Sequence, residues 1–338
     1  MIGLNRILIG DAHEQLRILP ARSVDCVVTS PPYFQLRNYQ HAGQLGLEPT
    51  VDGWVENLRG IVAGIERVLV PTGSVWLNLG DRYSTGREGA SAKSLLLGPE
   101  RLALGLIDDG WIVRNKIIWA KRNPLPSPVP DRLSCTWEVI YVLVRQRDYF
   151  FDLDAIRVPH TTKKRAASAK RGWSVPTEWR VNPSANSGLD ALNAEGRVGH
   201  PLGKNPGDVW PLSTASYRGP HHAVFPQALV ERPILAGCPE QRCSRCRSPY
   251  SRGTIRQLGH LALRGELRAS CICAAPAEPG VVLDPFIGSG TTAIAAEQLK
   301  RDWLGIELNP DFARLANERI SAARAKAAGA TDARPKAA

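Results

Sequence analysis

The chain has 338 residues, room for one sizeable α/β domain and a smaller module. Lys and Arg number 43 against 32 Asp and Glu, and the resulting net charge of +11 favours a polyanionic partner. No apolar run is long enough to span a bilayer, and Ile2 to Gly10 is too short for a secretory leader and runs into Asp11. A cytoplasmic protein is expected, its seven cysteines reduced thiols or metal ligands and not a disulfide framework.

Arg6 to Ile9 reads as a short strand that ends in Gly10-Asp11, and Asp11 is equally placed to cap a helix over His13 to Leu19. Val24 to Thr29 reads as a buried strand, which Pro31 must end because proline has no N–H for a ladder. In Ser30-Pro31-Pro32-Tyr33 the prolines fix φ and hold the Ser30 hydroxyl, the following carbonyls and the Tyr33 ring in one place. Acceptors beside an aromatic plate suit a flat ring carrying an amino group; an ordinary Pro-Pro strand stop is the plain alternative. Arg37-Asn38-Tyr39 and Gln44-Leu45-Gly46 form a polar connection, expected to be mobile and to lie over that site.

Trp54, Leu58, Ile61, Ile65 and Leu69 recur at helical spacing, so Trp54 to Leu69 is read as a helix. Pro71-Thr72-Gly73 should turn the chain into a strand over Ser74 to Leu79 that ends at Gly80-Asp81. A helix over Leu95 to Ile107, a strand over Trp111 to Ala120, a Pro-rich basic loop from Lys121 to Arg132 and a strand over Trp137 to Val144 follow. Such alternation implies a mostly parallel sheet covered on both faces.

The texture changes near Pro159. Lys163, Lys164, Arg165, Lys170, Arg171 and Arg180 cluster there with Trp173 and Trp179, the footprint of nucleic-acid binding with aromatics for stacking; a solvated linker is the alternative. Asn205 to Trp210 has no assigned role. A helix is read over Gln227 to Ile234, and the pair His221-His222 before it lacks a carboxylate partner at metal-binding spacing. Cys243-Ser244-Arg245-Cys246 and Cys271-Ile272-Cys273 offer Cys243, Cys246, Cys271 and Cys273 to a structural Zn²⁺, with Cys238 a spectator; free thiols are the alternative. Val281 to Asp284 then reads as a strand, Pro285 to Gly290 as a Gly-rich turn, Thr291-Thr292 as the start of an Ala-rich helix, and Trp303 to Glu307 as a second strand ending in a carboxylate. Beyond Ala323 the Ala/Lys-rich chain is expected to fray.

Ser30-Pro31-Pro32-Tyr33 together with Asp284-Pro285-Phe286 and Gly288-Ser289-Gly290 resembles the DNA amino-methyltransferases, which methylate the exocyclic amino group of cytosine or adenine from S-adenosylmethionine. The catalytic motif precedes the cofactor motif, as in the β group of that family. The resemblance implies a Rossmann-like α/β methyltransferase fold, a mostly parallel sheet with circularly permuted motif order. It implies Ser30, Pro31, Pro32 and Tyr33 as catalytic. It implies Asp11, Phe225, Pro226, Asp284, Pro285, Phe286, Gly288, Ser289, Gly290, Thr291, Thr292, Glu307 and Asn309 around the cofactor. Gly80-Asp81 resembles a motif lining the base pocket, though Asp81 is equally a loop acid.

The expected organisation is a catalytic half over 1–158, target recognition over 159–220, a cofactor helix over 221–237, a Cys-rich zinc insertion over 238–279, a cofactor-binding half over 280–324 and a disordered tail over 325–338. Double-stranded DNA is the expected partner, with a homodimer and a cognate restriction endonuclease as further candidates. Ser30 in place of the Asp more common in adenine enzymes implies cytosine N4 as the target, with adenine N6 the alternative. An enzyme acting on another planar amide or amine and a non-catalytic zinc-bearing DNA-binding protein are the rival readings. A carbon-5 cytosine enzyme is excluded, since no Pro-Cys dipeptide occurs.

Overall fold

The computed structural model describes residues 3–39, 41–160, 200–216, 224–253, 256–258 and 261–332. Lys163, Lys164, Arg165, Lys170, Arg171, Trp173, Arg180 and the His221-His222 pair lie outside these residues. The chain forms two compact units, one of Met1–Asp152, Gly207–Ser251 and Leu267–Ala338, the other of Leu153–Pro206 and Arg252–Glu266. The segment expected as one insertion over 238–279 is thus divided. In the smaller unit, Val158 bridges Lys204 and Arg157 bonds Asp154 at 2.6 Å.

The strands in chain order are β1 (Arg6–Ile9), β2 (Val24–Thr29), β3 (Leu69–Leu79), β4 (Ile112–Lys121), β5 (Trp137–Val144) and β6 (Val209–Leu212). Short strands β7 (Arg242–Cys243), β8 (Tyr250–Arg252), β9 (Arg256–Leu258), β10 (Leu261–Leu263), β11 (Leu267–Ala269) and β12 (Ala277–Glu278) follow. The last two are β13 (Val281–Asp284) and β14 (Asp302–Glu307). The helices are α1 (Ala12–Ile18), α2 (Val51–Val68), α3 (Gly98–Asp108), α4 (Gln227–Gly237), α5 (Thr291–Gln298) and α6 (Pro310–Asp332).

One eight-stranded sheet organises the larger unit, in the order β1-β14-β13-β2-β3-β5-β4-β6. Its pairings are parallel except for the two that β5 makes, with β3 and β4. Central strands β2 and β13 are buried along their whole length, which is why they are rich in Val and Leu, with Asp25 and Asp284 the buried carboxylates among them. Helix α2 lays Trp54, Leu58, Ile61, Val62, Ile65 and Val68 into the core, and Thr50 caps it by accepting from Gly53 N at 3.2 Å. Each such side chain contributes about 1.5–3 kcal/mol on burial.

Several boundaries differ from the sequence reading. Pro71-Thr72-Gly73 is a bulge inside β3, because the register with β2 jumps from Val24–Leu69 to Cys26–Ser74. A Cβ on Gly73 would stand 2.7 Å from the Asp25 carbonyl, so only glycine fits the bulge. Helix α3 starts at Gly98, three residues late, because Leu97 is left-handed at φ 56. The tail does not fray at Ala323: α6 continues to Asp332, since Ala is the best helix former and Arg324 pairs with Glu297 of α5 at 2.9 Å. Val209–Leu212 supplies the edge strand β6 and buries Trp210, which stacks on Trp76 at 6.4 Å, so this motif serves the fold. Among the described residues no helix is long and apolar enough to cross a membrane.

Candidate active site

Parallel strands present their C-terminal ends at one edge, and there ligands bind in open α/β sheets. Asp11 follows β1, Ser30 follows β2, Asn78 lies near the end of β3, Lys121 closes β4, Pro285 follows β13 and Glu307 closes β14. Strand β5 runs the other way, so its second residue, Glu138, reaches the same edge. Together they line a cavity of about 590 Å³, within the range of small-molecule sites.

On one side stands a hydrogen-bonded cluster. Ser30 Oγ donates to the Tyr33 hydroxyl at 3.1 Å, and that hydroxyl donates to Glu138 Oε2 at 2.6 Å. Asn78 Nδ2 donates to the Tyr33 oxygen at 2.7 Å and to Glu138 Oε2 at 2.9 Å, and approaches Ser30 Oγ at 3.3 Å. Lys121 Nζ holds the other Glu138 oxygen at 2.6 Å. Asn78 Oδ1 is buried and unpaired among the described residues. Burial, then the Glu138 carboxylate, push the Tyr33 phenol well above its ordinary range, so it stays protonated.

The loop is rigid for reasons beyond its prolines. The Pro32 carbonyl accepts from Trp54 Nε1 at 2.9 Å, anchoring it to α2. The Tyr33 ring packs where a side chain at residue 80 would stand, since a Cβ on Gly80 would come within 2.6 Å of the ring. The connection after Tyr33 lines the cavity through Leu36, Arg37, Tyr39 and Gln44.

On the other side lies the Gly-rich turn. Gly288 and Gly290 take φ of 50 and 83, left-handed values that favour glycine. Glu307 accepts from the amides of Gly288 and Asn309 at 2.9 and 3.0 Å, and burial pushes its carboxyl up while these amides oppose the shift. Thr291 Oγ1 is buried and unpaired among the described residues. Asp11 caps α1 by accepting from the His13 and Glu14 amides, as one of its two readings had it, and it also lines the cavity.

Of the residues implied around the cofactor, Phe225, Pro285, Phe286, Gly288, Ser289, Thr291, Glu307 and Asn309 also line the cavity. Pro226, Asp284, Gly290 and Thr292 do not. Asp284 is 1 % exposed and occupied by the protein itself, accepting from Thr29 Oγ1 at 2.7 Å, Thr292 Oγ1 at 2.6 Å and Phe286 N at 3.1 Å. It ties β2 to the turn and to α5, a positioning role in place of the direct cofactor contact expected. Asp81 also departs from the base-pocket reading: it accepts from Leu97 N at 2.9 Å and Gly98 N at 3.3 Å, anchoring the start of α3.

Asn78, Lys121 and Glu138 went unassigned in the sequence reading. One polar residue in an apolar strand, Asn78 in Ser74–Leu79, and one acid opening another, Glu138 in Trp137–Val144, were the available signals. Away from the cavity, the sulfur atoms of Cys243, Cys246, Cys271 and Cys273 all lie within 4.8 Å of one another. Cys238 is buried at the end of α4, outside that cluster.

The N6_N4_Mtase family model, described as DNA methylase, matches residues 24–318. The chain belongs to the DNA amino-methyltransferases. It is 32% identical to the type II methyltransferase M.SmaI of Serratia marcescens over 93% of this chain and 90% of that protein. It is also 32% identical to the type II methyltransferase M.XycI of Xanthomonas campestris pv. cyanopsidis, over 92% and 86%. In fold it resembles the PvuII cytosine-N4-specific DNA methyltransferase, with a TM-score of 0.56, 18% identity and coverage of 94% and 90%. A putative DNA modification methylase of Thermus thermophilus, solved in complex with S-adenosyl-L-methionine, gives 0.54, 23%, 94% and 93%. The methyl donor of this family is S-adenosylmethionine, and the donor set fits it: a carboxylate at a strand end, a Gly-rich turn with an unpaired Thr291 hydroxyl, and apolar walls at Phe225, Phe286 and Phe312.

Proposed function

We propose that this type II DNA methyltransferase transfers a methyl group to the exocyclic N4 of a cytosine flipped out of duplex DNA. One observation carries the reading. Ser30 gives its proton to Tyr33 and thereby keeps oxygen lone pairs to accept an amino hydrogen. A hydroxyl that donates behind and accepts in front suits a neutral aminopyrimidine. The target leaves the duplex to reach the cavity, and the Tyr33 ring stacks on it.

Glu307 would hold the ribose hydroxyls of S-adenosylmethionine, with Asp11 toward its adenine and Phe225 and Phe286 as walls. When bound, that group supplies a sulfonium methyl, already activated toward a nucleophile. The residues of this chain prepare the nitrogen. Ser30 Oγ and the Pro31 carbonyl accept its two hydrogens, which favours a pyramidal nitrogen with a localised lone pair. S-adenosylmethionine held there would supply the methyl carbon and keep the electron pair of the carbon–sulfur bond as a neutral thioether. The nitrogen's surplus proton passes to Ser30 Oγ, the Ser30 proton to Tyr33, and the Tyr33 proton to the Glu138 carboxylate. The net transfer is one proton from nitrogen to Glu138 and no tyrosinate forms, in keeping with the raised Tyr33 phenol. Lys121 offsets the Glu138 charge before transfer.

The Lys121–Arg132 loop meets DNA in this reading. Leu125 lines the cavity yet is 90% exposed, a wedge suited to the gap that a flipped base leaves. The basic residues of 163–180 supply the phosphate contacts and target reading, and the type II relatives point to a cognate endonuclease in the same cytoplasm. Digesting DNA methylated by the purified enzyme to nucleosides tests the target: N4-methyldeoxycytidine is expected, and N6-methyldeoxyadenosine as the sole product overturns it.

A further inference from the structure

We propose that Cys243, Cys246, Cys271 and Cys273 bind one Zn²⁺, and that the metal fastens the starts of β2 and β13 through Arg242. A tetrahedral Zn²⁺ with thiolates at about 2.3 Å sets its sulfurs about 3.8 Å apart. The four sulfurs here already lie within 4.8 Å of one another, and all are free thiols. The backbone has the shape of a knuckle. Arg247 N donates to the Cys243 carbonyl at 2.9 Å, closing a turn that brings Cys246 back beside Cys243, and Arg247 completes it at φ 64. Strand β12 and the Ser244 N to Pro276 carbonyl bond at 3.0 Å bring in the chain that follows Cys273. Four thiolates around Zn²⁺ carry a net charge of −2, and Arg242 and Arg247 stand in sequence beside the ligands.

What the metal secures is read from Arg242. This side chain is 3% exposed, deep beneath the knuckle. Its Nη1 reaches Asp25 Oδ2 at 2.7 Å and the Ser23 carbonyl at 2.9 Å, and its Nε reaches Glu278 Oε1 at 2.9 Å. Asp25 Oδ2 also accepts from Val281 N at 2.8 Å. Asp25 lies in β2 and Val281 opens β13, so the guanidinium holds Asp25 and Glu278, three residues before β13, while Asp25 itself ties together the adjacent strands that carry Ser30 and Asp284 at their far ends. Strand β7 is two residues long, Arg242–Cys243, too short to hold that guanidinium in place unaided. The ligand next to it in the chain supplies the fixed point. The metal is structural and remote from the cavity, and the inference stands independently of which base is methylated.

Metal analysis and thermal unfolding of the full chain, purified under reducing conditions, test both halves. One zinc per chain is expected, released by a mercurial thiol reagent, and its removal should lower the melting temperature by several degrees, with recovery on adding Zn²⁺ alone. Reduced, folded protein that lacks zinc, holds iron instead or is indifferent to zinc overturns the site. Cys273→Ser should lose the metal; because losing a ligand can also prevent folding, the wild-type measurement stands as the primary one. Arg242→Gln should keep one zinc yet melt lower, and its melting point should respond less to zinc removal. An Arg242→Gln protein as stable and as zinc-responsive as the wild type overturns the fastening role.

Discussion

Tyr33 donates its hydroxyl proton to Glu138 at 2.6 Å, across 105 positions of sequence. The bond joins the catalytic loop after β2 to the start of the antiparallel strand β5, and it fixes the hydroxyl to which Ser30, on the cavity wall, donates. Glu138→Gln keeps the shape but not the proton acceptor. Turnover should fall about 100-fold or more, as for loss of a general base, with S-adenosylmethionine affinity within about twofold of wild type. Single-turnover kinetics beside calorimetry measure the two. Undiminished turnover would remove the relay from the mechanism.

Ser30→Ala should bind the cofactor normally and turn over about 100–1,000-fold more slowly, because the lost bond matters most as the nitrogen pyramidalises. Rapid-quench methyl transfer with saturating DNA reads the chemical step. Near wild-type rates would assign the hydroxyl a structural role only.

Glu307→Ala should weaken S-adenosylmethionine binding by about 1.5–3 kcal/mol, the range for hydrogen bonds to a charged group. Its two backbone partners, Gly288 and Asn309, would also lose their acceptor, so Glu307→Gln serves as the control that keeps part of the geometry. Calorimetric affinity that is unchanged in both variants would contradict the ribose role.

Asp284 predicts a pH dependence. Burial pushes its carboxyl from 3.8 up to about 6, against the opposing bonds from Thr292, Thr29 and Phe286. A pKa higher in the folded than in the unfolded chain means that folding takes up a proton between those values. The stabilising contribution is complete below 3.8 and is lost as pH rises through about 6. The full change is about 3 kcal/mol. Asp284→Asn should flatten the fall in stability between these pH values, and Asp25, also pushed up to about 6 by burial, should preserve part of it. Denaturant unfolding at several pH values checks this; an unaltered slope would refute it.

Leu125→Ala should raise the KM for duplex DNA roughly tenfold while sparing a duplex whose target cytosine is already unpaired. A wedge helps only where a stacked base must be expelled. Equal losses on both substrates would make Leu125 a general contact.

The buried strands and the two motifs were legible because their information is local. A β-branched run, a proline that cannot join a ladder and glycines at positive φ act within a few residues, so Val24–Thr29, Ser30–Tyr33 and Pro285–Gly290 announce themselves. Glycine spacing marked the turn, whereas the family resemblance of Asp284-Pro285-Phe286 led to Asp284 being read as a cofactor ligand. The sequence cannot reveal that Thr29 and Thr292 already occupy that carboxylate, because the Thr29 bond spans 255 residues. Glu138 stood out only as an acid opening a strand and Lys121 only as the start of a basic loop, and neither could be assigned for the same reason. Their role depends on β5 running antiparallel beside β3 and β4, and strand direction is set by which neighbours pair, not by composition. The zinc knuckle divides along the same line. Its C-x2-C spacing is a local signal, whereas Arg242 joining Asp25 and Glu278 exists only once the Arg242 side chain is buried against the start of β2.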